Sequence, residues 1–132
     1  MAVRARPGCA RLRSPRTPPH AAAREVGDPA AAAAARAAGS AAASAYTHPL
    51  ADVHQTKHIV GAAAYAALAL ELGGGGPEIA NAEVLRAIEH ASAEAGAVLL
   101  QMPARQPGAS RLETLLYELD AGIRARTQRH DA

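Results

Sequence analysis

The stretch Pro29-Ala-Ala-Ala-Ala-Ala-Ala-Arg36-Ala-Ala-Gly39-Ser40-Ala-Ala-Ala-Ser44 decides the fold. Ala is the strongest helix former, because it loses no side-chain freedom in the helix and has no branch to press on the preceding turn. Strands favour β-branched and aromatic residues and are poor in Ala. Asp28 and Pro29 read as a start: a capping carboxylate, then a proline whose missing N–H is harmless at the first helical position. Pro49 ends the segment, since the residue before a proline avoids the helical region. The same bias runs through the chain. Of its 132 residues 37 are Ala, Phe and Trp are absent, and the aromatic side chains are Tyr46, Tyr65 and Tyr117. The expectation is an all-α fold: a compact antiparallel bundle of four to five helices over residues 20–128, preceded by a disordered Arg/Pro-rich leader over 1–19.

Outward from that stretch, Thr17-Pro18-Pro19 opens a short helix ending at Gly27. Asp52 caps a helix running to about Leu72. Gly73-Gly74-Gly75-Gly76-Pro77 breaks it, because each glycine costs a helix about 1 kcal/mol relative to Ala. Asn81 then reads as the cap of a further helix to about Gln101, with Val84, Leu85, Ile88, Ala91, Ala95 and Val98 as its apolar face. Ser110-Arg111-Leu112-Glu113 has the capping-box pattern, and Leu112, Leu115, Leu116, Leu119 and Ile123 form the stripe of the last helix. Leu, Ile and Val number only 22. Burial yields about 25 cal/mol per Å2 of apolar surface, so the last two helices must supply most of it. This implies modest stability, with room for a homo-oligomer.

The isoelectric point near 9.1 suggests a nucleic-acid partner only until the charge is located. Residues 1–19 hold Arg4, Arg6, Arg11, Arg13 and Arg16 and no acid, whereas the rest carries nine basic and 12 acidic side chains. The leader could touch phosphates without sequence preference. The body lacks the clustered Arg or Lys of a DNA-reading helix, so no specific nucleic acid is expected. Cys9 is the single cysteine. It excludes an intramolecular disulfide and fits a reducing, cytoplasmic setting. The strongly apolar run from Ile59 to Leu70 has 12 residues, short of the about 20 that cross a bilayer, and no membrane association is expected.

The densest polar group is His48, Asp52, His54, Lys57 and His58. His54 and His58 stand four apart on one helix face, with Gly61 and Tyr65 further along it. Two imidazoles so spaced can hold a divalent metal, with His48 or Asp52 as third ligand. No Glu follows His54 to act as general base, which separates the pattern from the metalloprotease motif. The alternatives are packing at a helix crossing or a surface that binds another protein. No hydroxyl sits in a nucleophile elbow, and the tetraglycine lacks the Lys-Ser/Thr of a phosphate loop. Neither a catalytic set nor a cofactor is expected.

Residues from about 21 to 72 resemble a family of small helical bacterial immunity proteins associated with polymorphic toxin systems. That family shows an A-A-R-A-A-G-H-A helix and a later H-x-x-G-x-A-x-Y-A helix. Arg36 and Gly39 match the first, with Ser40 where His is usual; His58, Gly61 and Tyr65 match the second. The family's N-terminal helical part has no counterpart, and the Arg/Pro leader stands in its place. The resemblance implies a non-enzymatic protein that binds and neutralises a cognate toxin, with His48, Asp52, His54, His58 and Tyr65 as candidate binding residues.

Overall fold

A computed structural model describes residues 27–44 and 53–132, with backbone alone at 43, 44 and 53–55. The expected leader and first short helix lie outside the described residues. Within them the chain is all-α, without a strand. The helices are α1 (Pro29–Ser44), α2 (Val53–Leu70), α3 (Gly76–His90), α4 (Ala93–Leu100) and α5 (Arg111–Asp131), and a wide helical turn, Glu71–Gly75, joins α2 to α3.

Each boundary has a local cause. The carboxylate of Asp28 accepts the Ala30 N–H at 3.0 Å, which caps α1. The tetraglycine does break the helix, at Gly74, where φ is 105°. A side chain there would be strained, so a glycine is required. The next helix begins earlier than expected. Pro77 sits in its first turn, preset for helical φ and with no N–H to satisfy. Asn81 is therefore not a cap. It lies inside α3, and its Oδ1 accepts from Arg111 Nη2 at 3.1 Å.

The expected single helix to Gln101 is in fact two. Ala91 and Ser92 are extended, and the Ser92 hydroxyl accepts the Ala95 N–H at 3.1 Å, starting α4. Arg126 Nη1 from α5 donates to the carbonyls of Ile88 and Ala91, both at 2.9 Å, taking up acceptors that the break releases. The expected apolar face survives in part: Val84 is buried, and Ile88 and Ala91 pack against the core. Ala80 and Val84 face inward from α3 and Leu99 from α4, whereas Leu85 is 63% exposed and Val98 41%.

The capping box of α5 forms as expected. Ser110 Oγ accepts the Glu113 N–H at 3.1 Å, and the Ser110 N–H donates to Glu113 Oε2 at 3.0 Å. Ser110→Ala should lower stability by about 1 kcal/mol in urea unfolding. Hydrogen bonds from the Ser110 backbone and hydroxyl hold the Glu113 carboxyl below its ordinary range. A lowered carboxyl favours the folded state above the ordinary range and loses that contribution on acidification. The Ser110→Ala difference should therefore shrink in acid.

Helix α2 is the centre of the molecule. On one side it meets α1, which among the described elements touches only α2 and the Glu71–Gly75 turn; on the other it meets α3 and α5. The core joins Val60, Ala64 and Ala67 of α2 to Ala80 and Val84, Leu99, and Leu115, Leu116, Leu119 and Ile123. Gly96 lets α4 lie close on α5, because a Cβ there would overlap Thr127 Oγ1. Arg111 joins the start of α5 to the turn, its Nε 2.9 Å from Glu71 Oε2. The helical run Thr56–His90 is longer than the 12-residue apolar stretch suggests. By length and composition it passes as a membrane span, with mean hydropathy 1.3, but it bends at Gly74 and part of it lines the core.

Candidate functional site

Helices α1 and α2 pack antiparallel through small residues. A Cβ placed on buried Gly61 would lie 3.5 Å from Ser40 Oγ and 3.7 Å from Lys57 Cγ, while at the other end of the pair Gly73 faces Ala30. The middle of α1 thus meets the middle of α2 directly, with Ser40 over Gly61. Stepping one turn along each antiparallel helix brings Arg36 level with Tyr65. Tyr65 lies seven residues beyond His58, so the two share a stripe with Gly61 between them.

Arg36, His58 and Tyr65 are all half-buried. Among the described residues no hydrogen bond or ion pair is formed by their polar heads, and none of those heads is a sealed, unsatisfied atom. Lys57, beside Gly61, is exposed. Long amphipathic side chains in this state cover apolar surface while keeping a polar tip available. Helices α1 and α2 themselves contain no Asp or Glu.

Of the residues singled out from the sequence, His58 and Tyr65 lie on one stripe of α2, two helical turns apart. His54 is placed on α2 by its backbone, and His48 and Asp52 lie outside the described residues. Among the described residues no three His, Cys, Asp or Glu side chains gather as a metal site.

One polar cluster was not anticipated. Asp120 and Thr56 are fully buried, 1% and 0% exposed. Asp120 Oδ2 accepts from Arg124 Nε at 2.9 Å and from the Arg105 backbone N–H at 3.2 Å. Arg105 Nη1 donates to Thr56 Oγ1 at 3.1 Å, and Arg124 Nη2 to the Pro103 carbonyl at 3.2 Å. The cluster ties the loop before α5 to the start of α2. A signal for it existed: Asp120 stands four residues after Leu116 and three before Ile123, an acid on an apolar stripe with Arg124 one turn on. Buried and ion-paired, the cluster positions the loop against α2.

Two hollows lie on the surface of the described residues. A groove of about 500 Å3 runs along the α1–α2 seam, lined by alanines such as Ala30, Ala34, Ala66 and Ala69, and by Leu70. A cavity of about 320 Å3 lies between α4 and α5 beside Ser92, Arg126, Thr127 and His130. Compared with known proteins, the chain matches no protein-family model, no curated protein and no solved structure.

Proposed function

We propose that this chain is a small cytoplasmic helical binding protein, an immunity protein that neutralises a cognate bacterial toxin without catalysis of its own. The supporting observation is the α1–α2 crossing. The residues carrying the resemblance (Arg36, Gly39, His58, Gly61 and Tyr65) lie on these two packed helices, and among the described residues the polar heads of Arg36, His58 and Tyr65 make no hydrogen bond or ion pair. Half-buried aromatic and guanidinium side chains with free heads are the types that dominate protein interfaces. Over residues 29–42, where side chains are described, helix α1 adds no large core side chain: Ala33 and Gly39 are its buried residues there. Presentation of a surface accounts for it better than stability does.

Co-expression with a toxin candidate from a neighbouring gene tests the reading. Cells should survive, the two proteins should co-purify, and R36A/H58A/Y65A should weaken both effects with helicity retained. Absence of protection together with absence of co-purification sinks it.

A further inference from the structure

The break between α3 and α4 borders the cavity of about 320 Å3 against α5. Ala91, Ala93 and Ala97 give it apolar walls, and half-buried Arg126 lines it from α5. The Arg126 guanidinium is held in place, because its Nη1 donates to the carbonyls of Ile88 and Ala91, both at 2.9 Å. That role uses one of its three nitrogens. Among the described residues Nε and Nη2 form no hydrogen bond or ion pair, and neither is a sealed atom. The Nε–Nη2 edge of a guanidinium is a fork that takes a carboxylate through two parallel bonds. Ser92, also in the lining, accepts the Ala95 N–H at 3.1 Å, which leaves its hydroxyl proton to donate. Thr127 has its proton committed to the Ile123 carbonyl at 2.8 Å. His130 and Asp131 line the cavity as exposed residues.

We infer that this cavity binds a small organic monocarboxylate with an apolar body. The carboxylate pairs with the Nε–Nη2 edge of Arg126 and accepts the Ser92 hydroxyl proton, and the body rests on the alanine walls. A neutral occupant would cover the guanidinium edge without pairing it, which costs free energy. Phosphate, largely dianionic at neutral pH, would meet the charge of Asp131 and gain nothing from the alanines. The volume suits about ten non-hydrogen atoms at roughly 30 Å3 each, the size of a benzoate. Helix α1 touches neither α4 nor α5, so this site is separate from the α1–α2 crossing and does not rest on the immunity reading.

The test titrates the full chain, labelled with 15N, with benzoate, with its neutral twin benzamide and with inorganic phosphate. Benzoate should shift the amide signals of Ser92, Ala93, Ala97 and Thr127. It should bind about tenfold more tightly than benzamide, the expected margin for a charge-assisted fork. Phosphate should bind more weakly than benzoate. Two variants separate the walls from the cation. A97L places a larger side chain in the cavity and leaves Arg126 untouched, and it should weaken benzoate about tenfold with the urea midpoint kept. R126K keeps a positive charge near the Ile88 and Ala91 carbonyls but loses the planar fork, and it should erase most of the preference for benzoate over benzamide. Circular dichroism checks that both variants stay helical. Absent benzoate binding, equal binding of benzoate and benzamide, or phosphate binding tighter than benzoate overturns the inference. So do shifts that avoid Ala93, Ala97 and Thr127, or benzoate affinity unaltered in A97L.

Discussion

Asp120→Ala should lower the unfolding free energy by about 3 kcal/mol or more, read from the urea midpoint at constant slope. Its carboxylate holds Arg124 Nε at 2.9 Å and the Arg105 N–H at 3.2 Å, and the Asp120 and Arg124 side chains are 2% and 13% exposed. Removing the anion leaves a largely desolvated guanidinium and a backbone donor unmet, which costs more than the net value of the pair. The second carboxylate oxygen, Oδ1, has no partner among the described residues, so the native pair is not fully satisfied. Asp120→Asn separates the two contributions. An amide oxygen in place of Oδ2 can keep both hydrogen bonds but not the charge, and the loss should be smaller than for Ala. Equal losses would mean that charge, not hydrogen bonding, holds the loop.

Leu119→Ala should cost about 3–5 kcal/mol in the same measurement, within the upper part of the range for deleting a buried leucine. Leu119 is completely buried, in a core whose α2 members are Val60, Ala64 and Ala67. Alanines cannot rotate into a vacated space, so the cavity stays open and the penalty is high. Stability of a domain this size is about 5–15 kcal/mol, and one such change consumes a large part of it. Leu85→Ala is the matched control. Leu85 is 63% exposed, and the change should stay within about 0.5 kcal/mol. A loss at Leu85 as large as at Leu119 would contradict the assignment of the α3 face.

The contrast between these leucines shows how far the sequence could be read. Spacing placed both on apolar faces. For Leu119 the face is real, because α5 runs unbroken from its capping box and its period keeps phase. For Leu85 it is not: α3 turns Ala80, Val84 and Ile88 toward the core, and Leu85, one residue on from Val84, falls outside that face; the helix itself stops at Ala91 and Ser92. Ser92 was legible as a local cap, but Arg126, which takes the carbonyls released there, stands 34 residues away. The start of α3 was misread for a related reason: Asn81 has capping chemistry, but Pro77 already satisfies the first turn, and Asn81 is engaged by Arg111 instead. At the candidate site, the stripe of His58, Gly61 and Tyr65 was legible on one helix. That Arg36 and Ser40 lie across from it was not, since antiparallel register is a relation between segments.

By itself the sequence determined the helical class, the break at the tetraglycine, the caps at Asp28 and Ser110, and the inward stripe of α5. These are local properties, set by backbone freedom, side-chain entropy and hydrogen bonds across a few residues. Tertiary structure alone decided that α3 and α4 are separate helices, that Asp120 is buried against Arg124 and the Arg105 backbone, and that Ser40 rests on Gly61. Each depends on groups distant in sequence meeting at short range, and in an alanine-rich chain few large side chains announce such meetings in advance.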